Sequence, residues 1–196
     1  MARRSGAGAS QQAVRGANFG EDPYTYGFPT ADLPYVTSNP GVGSGRIEAF
    51  HITAPATVTI TKMRALNGGG AAAGITLARL GIYEQANPPD ATLTLVGATP
   101  NDTAMFNASN QFYVANLQTP VTMLAGHRYA LAVLFVGTTM PLMASTVAQT
   151  WVGSVMATTP PVRACYRSGS SDLPASIPPG EQAFNVVGVR YLVASP

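Results

Sequence analysis

At 196 residues the chain suits one domain with an appendage, long enough to bury about two-thirds of its unfolded surface. Only 10% of residues are charged and the net charge is +2, too small a balance to imply nucleic-acid binding, while a hydrophobic content of 46% argues against disorder through self-repulsion. The single cysteine, Cys165, excludes an intrachain disulfide and a cysteine-based metal cluster.

The first 45 residues differ from the rest. Met1 to Gly20 is poor in large apolar side chains and carries Arg3, Arg4 and Arg15 with no acid before Glu21; Tyr24-Thr-Tyr-Gly-Phe-Pro and a Pro/Gly-rich passage follow. Ser5 to Ala13 is Gly, Ala, Ser and Gln rather than the apolar core of a signal peptide. A segment of this composition cannot build a core of its own. Residues 1–45 are therefore expected to form an extended assembly arm. Tyr24, Tyr26, Phe28 and Tyr35 would be its anchors, with Arg3, Arg4 and Arg15 reaching carboxylates or carbonyls of a neighbour. The alternative is that the aromatics fold back on the chain's own sandwich.

From residue 46 to 196 the pattern is that of an all-β domain. Glu48 to Thr53 and Thr57 to Thr61 alternate apolar and polar positions, with Ala54-Pro55 between them. Asn67-Gly-Gly-Gly begins a flexible connection to Gly74. Ile75 to Tyr83 and Thr92 to Val96 flank an Asn87-Pro-Pro-Asp turn and read as a hairpin. Gln111 to Leu117 and Val121 to Leu124 follow, and the Ala125-Gly126 turn leads into His127 to Val136. That run is apolar on both faces, which predicts a central strand. Its apolar stretch, Tyr129 to Val136, is eight residues long, far below a membrane span. Thr139 to Val147 and Phe184 to Val193 are further strands, and Trp151 to Gly180 is irregular. Turn signals at fairly regular spacing predict a jelly-roll-like β-sandwich, with an up-and-down barrel as the other possibility.

Few residues suggest chemistry. No Gly-x-Ser-x-Gly elbow accompanies His127, and neither histidine has a carboxylate or second histidine at metal-ligand spacing, so no catalytic, cofactor-binding or metal-binding residue is assigned. His51 and His127 read as satisfied structural or surface residues, and Cys165 as a small buried apolar one. The acids sit mostly beside turns, where capping suffices. Gly68-Gly-Gly lacks the Lys-Ser/Thr of a phosphate loop. Asn101-Asp-Thr and Asn107-Ala-Ser match a glycosylation sequon but read as turns. Trp151, Tyr166 and Arg167 form a candidate surface-binding loop, since aromatic and Arg side chains stack on sugar rings or anchor a subunit.

The strings Ile75-Thr-Leu-Ala-Arg-Leu-Gly-Ile-Tyr, Leu93-Thr-Leu-Val-Gly-Ala-Thr, Asn101-Asp-Thr-Ala-Met-Phe and Thr119-Pro-Val-Thr-Met-Leu-Ala-Gly-His-Arg-Tyr-Ala-Leu-Ala-Val-Leu carry a resemblance over about residues 46 to 145. Together they resemble the small β-sandwich minor tail and virion structural proteins of tailed phages infecting actinobacteria. The resemblance implies a virion component in or near the tail that contributes to assembly or host attachment. Its partners would be other virion proteins and further copies of itself, a trimer being favoured, with host cell-envelope glycan as a possible target. Two other functions fit the residues: a head decoration or minor capsid protein, and a carbohydrate-binding module or envelope-glycan-processing enzyme.

Overall fold

The computed structural model describes residues 28–29, 36–38, 42–85, 92–146, 164–183 and 190–196. Their alternating apolar and polar positions resolve into twelve strands: β1 (Phe28–Pro29), β2 (Val36–Ser38), β3 (Arg46–Thr53), β4 (Val58–Gly70), β5 (Ala73–Gln85), β6 (Leu93–Ala98), β7 (Phe112–Met123), β8 (Arg128–Thr139), β9 (Leu142–Thr146), β10 (Ala164–Arg167), β11 (Ser176–Ile177) and β12 (Leu192–Ser195). The described residues contain one 3-10 turn, Pro179–Glu181, and no α-helix. Every strand pairing among the described residues is antiparallel.

Two six-stranded sheets result, and they make a β-sandwich. One has the order β1-β12-β4-β9-β2, with β7 on the other edge of β4; the second has the order β10-β3-β8-β5-β6-β11. β7 and β12 both pair with Lys62–Ala65, which places them on opposite edges of β4, and β9 takes over at Asn67 and Gly70. Between the sheets lies a core built from Phe50, Ile60, Met63, Leu80, Ile82, Leu131, Val133, Phe135, Met143 and Leu192, each fully buried. Burying one such side chain stabilises the fold by roughly 1.5–3 kcal/mol.

The second sheet is covered on its outer face as well. On β8, Leu131, Val133 and Phe135 face the sandwich, while Ala130, Ala132 and Leu134 face outward into a second cluster with Ile47, Ala49, Cys165, Leu173 and Ile177. β8 is therefore central, between β3 and β5, as its two apolar faces predict. What covers it is part of the stretch read as irregular. After β10 pairs with β3, residues 168–175 cross the sheet as a strap, and β11 pairs with β6 at the far edge. The strap is held by Ser170 N–H donating to the Gly45 carbonyl at 2.8 Å, the Tyr83 hydroxyl to the Pro174 carbonyl at 3.1 Å, and Leu95 N–H to the Ala175 carbonyl at 2.8 Å. Ala49, Gly81, Ala130 and Ala132 are small where it crosses, and a Cβ on Gly81 would stand 2.8 Å from Leu173 Cδ1. Small side chains let a chain lie close to the sheet.

Several sequence expectations are corrected. Asn67-Gly68-Gly69-Gly70 is not a flexible connection but the end of the thirteen-residue strand β4, because Leu142 of β9 occupies the space a Gly70 side chain would need, 2.5 Å from the missing Cβ. The runs 111–117 and 121–124 are one strand, β7. Its extra residues, with Thr119-Pro120, form a bulge opposite Thr61, where the register passes from Ile60↔Val121 to Lys62↔Asn116. An edge strand tolerates proline because its outer backbone has no ladder to break. The final strand begins at Leu192, and residues 184–189 of the expected run lie outside the described residues. Within 1–45, β1 pairs with β12 and β2 with β9, so these two short strands add to the chain's own first sheet.

Candidate functional site

Polar side chains converge where the second sheet ends at β10. The period of β3 sends Ile47 and Ala49 to the strap and Glu48 and Phe50 into the sandwich. Glu48 is 2% exposed, and an unpaired carboxylate there would cost several kcal/mol. Arg190 compensates, its Nε donating to Glu48 Oε2 at 2.8 Å and its Nη2 lying 3.5 Å from Oε1. Arg46 Nε adds a contact at 3.4 Å to Oε1. The Arg46 guanidinium also lies 3.8 Å above the centroid of the Tyr166 ring, a cation–π contact. Tyr166 is there because β10 pairs it directly with Glu48.

Arg190 bridges to Ser145 of β9, in the first sheet, whereas Glu48 belongs to the second. Two arginines, one carboxylate and one phenol ring therefore tie the two layers together at this edge. Chemically the arrangement is a set of fixed charges in mutual contact, suited to holding layers in place.

Of the candidate surface-binding residues, Tyr166 and Arg167 are neighbours on β10, and each is engaged within the chain. Tyr166 lies beneath Arg46, and Arg167 Nε is 2.7 Å from Glu181 Oε2. Trp151 lies outside the described residues, as do Arg3, Arg4, Arg15, Tyr24, Tyr26 and Tyr35. Phe28 is described by its backbone, paired with Ala194.

A second polar group lies near the β5–β8 end. His127 Nδ1 is 3.1 Å from Glu84 Oε1, with both side chains substantially exposed. The Tyr129 hydroxyl, accepting from Leu124 N–H at 2.9 Å, is raised above the ordinary tyrosine range by desolvation. His51 departs from the expectation of a satisfied residue. Both its ring nitrogens are buried with no hydrogen-bond partner among the described residues, and desolvation, with the nearby Arg128 charge, lowers its pKa to about 4. Cys165 is the small buried residue expected, 1% exposed, and burial pushes its thiol up to about 12.

Other polar residues act as ties. Arg79 on β5 makes a paired contact with both Asp172 oxygens at 2.8 and 2.9 Å and donates to Gln118 Oε1 of β7 at 2.8 Å, linking strap, second sheet and first sheet. The sequon residues serve turns: Asn101 Oδ1 accepts from Ala78 N–H at 2.9 Å, and Asn107 Oδ1 from the Tyr113 hydroxyl at 3.2 Å. Among the described residues no group of three or more His, Cys, Asp or Glu could hold a metal ion.

The sequence reading missed the Glu48–Arg190 pair. A lone acid inside an alternating apolar strand, Ile47-Glu48-Ala49-Phe50, is the signal that marks a buried carboxylate and calls for a cationic partner. Which arginine supplies it was not in the pattern. No protein-family model matches the chain, and no curated protein matches it.

Proposed function

We propose that this chain is a structural component of a tailed-phage virion, a minor tail protein contributing to tail assembly and host-surface attachment. The observation that carries the reading is a β-sandwich whose buried and edge charges, Glu48, Arg46, Arg190 and Arg79, are engaged in holding its layers together. That is the use of charge expected in a scaffold. The likeness of residues 46 to 145 to phage tail modules supplies the particle.

Within this proposal the sandwich is a jelly roll. Strands β2 to β9 distribute between the paths β2-β9-β4-β7 and β3-β8-β5-β6, the order of two interlocked Greek keys. Attachment would be multivalent, with several copies at fixed geometry turning weak single contacts into firm adhesion. The first 27 residues, with Arg3, Arg4, Arg15, Tyr24 and Tyr26, would contact neighbouring virion proteins.

Gold-labelled antibody against the chain, applied to intact particles and counted by electron microscopy, tests the reading. Label confined to the tail end at a few copies per particle is the expected result. Label spread over the head would replace it with a decoration role, and unlabelled particles would remove the virion reading altogether.

A further inference from the structure

We infer that the free edge of β7 is a self-association surface, pairing antiparallel with β7 of a second copy about a two-fold axis at Val114. Among the described residues β7 pairs with β4 alone, along Val58–Leu66. Among these residues its other edge is therefore a row of open donors and acceptors.

Register identifies the residues that offer them. Asn67 N–H donates to the Gln111 carbonyl at 2.9 Å, whereas Leu66 N–H turns to Tyr191 on the opposite edge of β4. Since antiparallel partners alternate between exchanging and not exchanging hydrogen bonds, Phe112, Val114 and Asn116 direct their N–H and C=O groups away from β4. Their side chains are exposed too, Phe112 by 43% and Val114 by 55%. Beyond Asn116 the strand buckles at Thr119-Pro120, which limits a flat pairing segment to this end.

Charge selects the occupant. Phe112–Met123 contains no Asp, Glu, Lys or Arg, although natural sheets commonly guard a long exposed edge with charge. The N-terminal segment, bearing Arg3, Arg4 and Arg15, would find no carboxylate on this strand. A second copy of the strand meets it without like-charge repulsion and with matching apolar groups. Centred on Val114, the two-fold sets Val114 opposite the partner's Val114 and Phe112 opposite the partner's Asn116. Phe112 then lies diagonal to the partner's Val114, and the three pairs close about six backbone hydrogen bonds. Such a contact is isologous and closes at two copies, so a three-fold assembly would need another surface.

The test uses the purified full chain and does not depend on which particle it belongs to. Light scattering of the wild type at about 100 μM is expected to give twice the 20.3 kDa chain mass, and Val114→Lys, which faces two ammonium groups across the axis, to halve it with an unchanged β spectrum. Oxidative cross-linking fixes the register. Partners that exchange hydrogen bonds are about 5.5 Å apart at Cα, within disulfide reach. Val114→Cys is expected to link to itself, Phe112→Cys alone not to, and a mixture of Phe112→Cys with Asn116→Cys to link. A monomeric wild type whose Val114→Cys variant does not cross-link would overturn the proposal, as would a dimer that survives Val114→Lys.

Discussion

Glu48 and Arg190, 142 positions apart in the chain, meet as a 2.8 Å ion pair with both side chains almost wholly buried. Because burial strips both charges of water, the pair contributes mainly by each partner making the other tolerable. Glu48→Leu is expected to cost about 3–5 kcal/mol, since it leaves a guanidinium buried without its carboxylate. Adding Arg190→Met should recover much of that loss. Urea unfolding of the two single variants and the double variant measures the coupling; strictly additive losses would show that the residues act independently.

His51 predicts an acid-side loss of stability. Its folded pKa is about 4 and its ordinary value 6.5, so between those pH values the unfolded chain binds a proton that the folded chain refuses. Stability from this residue is complete above pH 6.5 and falls by roughly 2–3 kcal/mol as the pH drops to 4. His51→Leu should flatten that part of the profile. The check is the urea midpoint of both proteins at pH 7.5 and 4.5, and equal slopes would remove the histidine as the cause.

Gly137 on β8 faces Ile75 of β5 so closely that an added Cβ would lie 2.6 Å from the Gly74 carbonyl oxygen and 2.8 Å from Ile75 Cα. Backbone cannot swing aside as a side chain can. Gly137→Ala is expected to destabilise by about 1–3 kcal/mol, whereas Gly180→Ala, whose Cβ meets nothing within 4 Å, should stay within about 0.5 kcal/mol. Thermal melts of the two variants beside wild type separate these outcomes.

Cys165 lies beneath the strap with a thiol pushed up to about 12, so little thiolate exists at neutral pH and reagent has no direct approach. The native protein should react with a thiol reagent at pH 8 at least about a hundred-fold more slowly than the urea-unfolded chain. A fast native reaction would mean that the strap opens readily. The same protection keeps Cys165 silent in the cross-linking of Val114→Cys.

Much of the sandwich was legible because strands write a two-residue period into local sequence. β3, β5, β6 and β8 lie where alternation and turn residues put them, and the apolar faces of β8 announced its central position. Asn67-Gly68-Gly69-Gly70 misled because glycine marks both flexible links and close packing, and the pairing of Asn67 with Met143 and of Gly70 with Leu142 decides between them. The irregular run after residue 150 concealed the strap for a similar reason. Its structure comes from lying on Ala49, Gly81, Ala130 and Ala132, whose small size has no meaning until the sheet exists.

By itself, the sequence determined an all-β chain with a central apolar strand, a buried lone cysteine and a charge-poor composition, because those follow from residue type and short-range period. Only the tertiary structure decided that Arg190 neutralises Glu48, that Arg46 covers Tyr166, and that Phe112–Met123 pairs with β4 alone among the described residues. Pairing between distant strands sets each of these contacts, and it depends on register and layer order, which no local pattern encodes.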